Sequence, residues 1–399
     1  MKRITAFLTL FLAMSLASCK SDETVGENPF FAEWDTPYGV PPFDRIVPAH
    51  FLPALERGMS LHDAEIDAIT SNNDEPTFEN TILAYDNAGQ MLAQTELIFG
   101  MLCAAETNER MQALQEQVMP LLAAHADKIL LNEKLFERVK AVYDRRAALE
   151  LDAEQSRLLE KTYRKFVRAG ALLDAEQKAR LKAINGELSL TSVKFGQNIL
   201  AENNNYALML ESNDLDGIPT TARDQAREKA EAMGKKGKYA FTLHKPSLIP
   251  FLTYSQKREL REEIYKAYLN RCNDFIRLRT EKAHLLGYPS YADYVVADEM
   301  AGTTDAVYKL LNEIWMPALE SAKGELAEME ELFKKDHPDG EFASWDWWYY
   351  AEKVRKQKYQ LEEEQLRPYF SLENVQGGIF FLANRLYGIT FRPIVVPLY

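Results

Sequence analysis

Cysteine is almost missing from this chain: Cys19, Cys103 and Cys272 are the only three among 399 residues. No Cys-x-x-Cys spacing occurs, so a cysteine-held zinc centre is excluded by number alone. Cys103 and Cys272 each fall in a helical apolar pattern, and the expectation for both is a buried free thiol rather than a disulfide. Histidine is scarce too. The six are His50, His62, His125, His244, His284 and His337, no two closer than 12 positions. A zinc site built on one helix needs histidines at i and i+4, with a glutamate between them to activate the metal-bound water. That pair is absent, as are Gly-x-Ser-x-Gly, the Walker loop and Gly-x-Gly-x-x-Gly. Positive charge is outnumbered, 47 Lys and Arg against 60 Asp and Glu, giving a net charge of -13. Without a basic stripe there is nothing to neutralise phosphates, and nucleic acid is excluded as a partner. Lys235-Lys236 and Lys334-Lys335 are short pairs beside Gly or Pro and read as solvated loop charge.

What is present begins at the amino terminus. Lys2 and Arg3 precede an apolar run from Ile4 to Leu16, too short for a transmembrane helix but suited to a secretory signal. Leu16-Ala17-Ser18-Cys19 then looks like a bacterial lipobox. The expectation is a lipoprotein signal over residues 1–18, with Cys19 lipidated and the protein exported and held on the cell envelope, at the outer membrane. Residues 19–42 are rich in acidic residues, Gly and Pro, as expected of a tether.

From Pro48 the pattern turns helical. Phe51, Leu52, Leu55 and Met59 share one face, and a helix is expected from Thr77 through Leu92 towards Phe99. Helices over Met111 to Ile129 and Leu135 to Tyr143 follow. Leu151-Asp152-Ala153-Glu154-Gln155 and Leu173-Asp174-Ala175-Glu176-Gln177 each place Asp at an N-cap with Gln three residues on. The segments behind them do not match, so they predict two consecutive helices rather than a repeat. Tyr206 to Leu210 and Tyr239 to Leu243 are strand-like and predict a small antiparallel ribbon around a short helix. Leu260, Ile264, Ala267, Tyr268, Cys272, Phe275 and Ile276 trace another helical face, ended by Gly287 and Pro289. The fold class predicted is mainly α, a large multi-helix lobe with a minor antiparallel ribbon and a carboxy-terminal strand over Thr390 to Val396.

The chain is organised around the stretch from Ser344 to Phe391. Ser344 is placed to cap a helix that runs until Pro368 interrupts it, and Ser371 to cap a second. On that second helix Val375, Ile379, Leu382 and Leu386 share a face, and Gly388 marks its end. The string Trp345-Asp346-Trp347-Trp348-Tyr349-Tyr350, the block Leu366-Arg367-Pro368-Tyr369-Phe370 and Leu386-Tyr387-Gly388-Ile389-Thr390-Phe391 resemble, in order, the zinc metallopeptidases that include thimet oligopeptidase, oligopeptidase A and the bacterial peptidyl-dipeptidases. Asn28-Pro29-Phe30, Pro41-Pro42-Phe43-Asp44, the Thr77 to Ile82 segment and Arg279 to Met300 extend the resemblance over nearly the whole chain.

That resemblance implies a mostly helical ellipsoid split by a channel, zinc at its floor, and short peptides as substrates, cut to release carboxy-terminal dipeptides. It also implies that the family's His-Glu-x-x-His would lie beyond Tyr399. The expectation is therefore the N-terminal portion of a lipid-anchored zinc peptidase, with a helical region over 43–250 and the start of a catalytic region over 251–399, binding no zinc by itself and inactive alone. The alternative is a non-catalytic helical lipoprotein that binds peptides or serves as a scaffold. No catalytic or metal-ligating residue is selected. His62-Asp63-Ala64-Glu65, His125 with Asp127 and Glu281 with His284 read as surface pairs, and 60 acids offer no criterion for an acid–base pair. The rings of Trp345, Trp347, Trp348, Tyr349 and Tyr350 suit a peptide channel or, more simply, a core.

Overall fold

The computed structural model describes residues 27–269, 275–360 and 363–398. The signal over 1–18, Cys19 and Cys272 lie outside the described residues. Contacts divide the chain into two compact units, one running through Lys182 and taking in the residues from Ile394 on, the other over Ala183–Pro393.

In the first unit, Pro48 opens helix α1 (Pro48–Ser71), where its fixed φ suits the first turn and its missing N–H would have no intrahelical partner. Phe51 and Leu55 are fully buried and Leu52 and Met59 pack at the margin, as their spacing predicts. Helices α2 (Gln90–Ala105), α3 (Glu109–Leu130), α4 (Glu133–Asp144) and α5 (Ala153–Arg168) complete the unit's framework. α1 and α2 approach so closely that a Cβ on Gly58 would stand 2.9 Å from Leu92 Cα. Only glycine fits there. The helix expected from Thr77 through Leu92 is broken. It starts as a wide turn, Phe78–Leu83, capped reciprocally by Thr77 and Asn80, and the chain then turns through Gly89 at φ 77° before α2 begins. Both aspartate caps form as predicted: Gln155 and Gln177 donate backbone N–H to Asp152 and Asp174, each at 2.8 Å. Buried Arg138 ties the loop ahead of Thr77 by donating to the carbonyls of Asn72 and Asp74 and to Asn80 Oδ1.

Helix α6 (Ala175–Asn205) leads into the second unit. The predicted ribbon is present: β1 (Leu208–Leu210) pairs antiparallel with β2 (Tyr239–Phe241), Leu208 opposite Phe241, with α7 (Thr220–Ala232) between them. Leu208, Leu210 and Phe241 pack with Phe251 of α8 (Lys245–Tyr254) and Ile264 of α9 (Arg258–Leu269). Then come α10 (Phe275–Leu285), which ends at Gly287 in the left-handed region, α11 (Tyr291–Val296) capped by Ser290, and the long α12 (Thr304–Asp336). The tail differs from expectation in three ways. Ala343, not Ser344, stands at the N-cap of the 3-10 turn Ser344–Asp346, and the Asp346 carboxylate accepts its N–H. Helix α13 (Trp347–Tyr359) stops at Gln360 in the left-handed region, well ahead of Pro368. Residues 390–398 follow α14 (Leu372–Tyr387) as irregular chain, because the only sheet among the described residues offers them no partner. Ser371 and Gly388 cap α14 at its two ends as read from the sequence.

Candidate functional site

The string of aromatic residues that organises the sequence has a carboxylate at its heart. Asp346 is fully buried, and two guanidinium groups from α9 close on it. Arg258 donates through Nε at 3.1 Å to both carboxylate oxygens and through Nη2 at 2.9 Å, and Arg261 donates through Nη2 at 2.8 Å. The spare N–H groups are used as well: Arg261 reaches the carbonyls of Ser255 and Trp345, and Arg258 that of Glu341. A charge taken out of water is tolerated only when its hydrogen-bonding capacity is met in this way. Aromatic faces complete the enclosure, with the Arg261 guanidinium 4.3 Å from the Tyr349 ring centroid and that of Arg258 5.4 Å from Phe333.

Around this clamp the five rings divide. Tyr350 is buried against Phe333 and Met329, and its hydroxyl donates to Asp336 at 3.0 Å. Burial, then that hydrogen bond, pushes the phenol well above its ordinary range, while Lys353 foremost and Tyr350 with it hold the Asp336 carboxyl low. Trp347 and Tyr349 pack at the margin of this cluster and Trp348 faces solvent. Trp345 borders an open hollow of about 630 Å³, shared with Tyr265 and Lys266. A second cavity, about 600 Å³, opens where the start of α7 meets α8 and α13, with Pro219, Pro250, Tyr254 and Phe370 as walls. Glu352 on its rim is held by Arg355 at 2.6 and 2.8 Å. Gly217 closes one end: at φ 84°, a Cβ there would lie 2.2 Å from the Tyr254 carbonyl oxygen. Both hollows have room for an apolar side chain. Neither presents a nucleophile paired with a base.

The histidines do not all lie where the sequence put them. His284 Nε2 faces the Pro289 carbonyl at 3.0 Å and Glu281 pairs with Arg277, so that pair is a surface feature as read. His62 and His125, expected on the surface, instead meet across α1 and α3, Nδ1 to Nε2 at 3.1 Å. This corrects the sequence reading. The missed signal was spacing: His62 continues the stripe of Leu55, Met59 and Ile66, and His125 that of Val118 and Ile129. Arg261 carried the same signal on α9, three before Ile264. Cys103 is half-buried and free, with burial pushing its thiol up to about 11. Among the described residues no three His, Cys, Asp or Glu side chains converge to hold a metal ion. A catalytic zinc needs three protein ligands, so these residues do not fit one. Among them, too, no helix is long and apolar enough to cross a membrane.

Comparison with known proteins reaches the same stretch. Residues 251–395, which hold the last turn of α8 with α9, α13 and the Arg258–Asp346 clamp, match peptidase family M3. The chain is 37% identical over 389 residues to the dipeptidyl carboxypeptidase of Escherichia coli K12, and 35% identical over 387 residues to that of Salmonella typhimurium LT2, covering 93% of this chain in each case. Oligopeptidase A of Escherichia coli K12 is 28% identical over 374 residues, 90% of this chain. The chain spans 57% of the length of the two carboxypeptidases and 55% of oligopeptidase A. The match to peptidase family M3 thus falls on the stretch that holds the clamp, and the likeness to the two carboxypeptidases runs through both units.

Proposed function

We propose that this protein serves the hydrolysis of short peptides, releasing dipeptides from their carboxy termini with zinc as the cofactor. The observation that carries this reading is the 37% identity to a dipeptidyl carboxypeptidase over 93% of the chain. The described residues supply helical framework and apolar hollows but no ligand set for the metal. We therefore assign this chain the enclosure of the peptide, not the cleavage of its bond, and expect it to be inactive by itself. The lipobox-like Leu16-Ala17-Ser18-Cys19 supports export and attachment to the cell envelope through lipid on Cys19.

The test is an amino-blocked pentapeptide followed by mass spectrometry. Protein isolated from its own cells is expected to release the carboxy-terminal dipeptide, to lose that activity to a chelator and to regain it with zinc. The 399-residue chain expressed alone is expected to leave the peptide intact. Single amino acids as products, or turnover insensitive to chelation, overturn the dipeptidase reading; turnover by the chain alone overturns the division of labour.

A further inference from the structure

The apolar core of the first unit is divided in two, and a pair of imidazoles lies at the division. α1 runs from Leu55 in one cluster to Ile66 in the other, and α3 from Val118 to Ile129. Between those positions the rings of His62 and His125 stand 5.1 Å apart with their facing nitrogens at 3.1 Å. One proton fits between two such nitrogens, so one donates and the other must stay bare. His125 is 8% exposed, and His62 is wedged by the turn before α2, where a Cβ on Gly89 would lie 3.0 Å from its Nδ1.

The surrounding charges are few and can be named. On α1, Asp63 Oδ1 is buried without a hydrogen bond, 3.8 Å from His125 Nδ1, while its other oxygen takes Lys128 of α3 at 2.8 Å. Glu65 accepts the Gly89 N–H at 2.7 Å. Lys165 of α5 adds positive charge beside His62. We propose that the His62–His125 pair is an acid-released tie between α1 and α3, closed while the two rings share one hydrogen and opened when both become cations. Two imidazolium N–H groups cannot face each other at this separation; Asp63 and Glu65 favour the charged rings more than Lys128 and Lys165 oppose them, but burial, the largest influence on both, disfavours the charge. Opening would free the two halves of the core to move separately.

Burial lowers the proton affinity of both rings below the ordinary value of 6.5, with the neighbouring His125 contributing at His62. A histidine whose affinity is lower when folded contributes its full stability above the unfolded value. That stability is lost as pH falls from about 6.5 towards the folded value, roughly tenfold in the opening constant per pH unit for each proton taken up.

The experiment is hydrogen exchange of the whole chain read by mass spectrometry between pH 7.5 and pH 5, corrected for intrinsic exchange, beside nitrogen-15 spectra of labelled histidine. Wild type is expected to lose about tenfold or more protection in the middle of α1 and α3 across that window, with two rings titrating together below the ordinary value. The His62→Leu/His125→Leu pair is expected to make that protection insensitive to pH. Should this variant fail to fold, His62→Gln, neutral throughout, is expected to lower the pH slope by one proton. Protection in wild type unchanged with pH, a slope retained in the variants, or either ring titrating at or above the ordinary value overturns the tie.

Discussion

Asp346 shows how one residue takes on meaning that its neighbours in sequence do not supply. Its two guanidinium partners are 88 and 85 positions away, so nothing local marks it among 60 acids. Asp152 and Asp174 were legible because an N-cap bonds to a backbone N–H three residues on. The Asp346→Ala change leaves Arg258 and Arg261 facing each other without a counter-charge, Arg261 being only 1% exposed. Breaking a buried pair from one side costs about 3–5 kcal/mol, and a urea titration is expected to show a loss of that size. A loss under about 1 kcal/mol, the range of a surface ion pair, would mean that water reaches the clamp in solution.

Among elements, α14 teaches the opposite lesson. Its spacing was read correctly, since Val375, Ile379, Leu382 and Leu386 share one face, its caps are in place, and yet it has no buried residue. Leu310, Leu311 and Ile314 on α12 are likewise 52–58% exposed. Periodicity shows which face of a helix seeks cover, whereas burial depends on what lies against it. Exposed apolar surface on this scale takes up the dye ANS. Ile379→Glu with Leu386→Glu is expected to lower ANS fluorescence while changing the urea midpoint by no more than the equivalent of about 0.5 kcal/mol, as for surface substitutions. A loss of about 2 kcal/mol or more, typical of core positions, would show that the face is covered in solution. The break at Gly89 was illegible for a related reason: the helical pattern continues through it, while the turn there is set by contact with Glu65 and His62 of α1.

At the scale of the whole molecule, the lipobox-like Leu16-Ala17-Ser18-Cys19 bears on the proposed attachment to the cell envelope rather than on how the chain folds. Cys19→Ala is expected to move the protein from membrane pellet to supernatant after a carbonate wash, because several acyl chains hold where one binds only marginally; retention of the variant in the pellet would place the attachment elsewhere. The sequence by itself determined the helical class, the ribbon, the Asp152 and Asp174 caps and the likeness to the family, since each is written in spacing or in motifs that a few consecutive residues carry. Only the tertiary structure decided that Trp345 borders a hollow while Tyr350 is core, that Asp346 joins two helices, and that His62 meets His125. These depend on which surfaces come together from distant parts of the chain. A periodic pattern states that a face will be buried, but a buried charge or imidazole is tolerated only beside its partner, and that partner is chosen by packing.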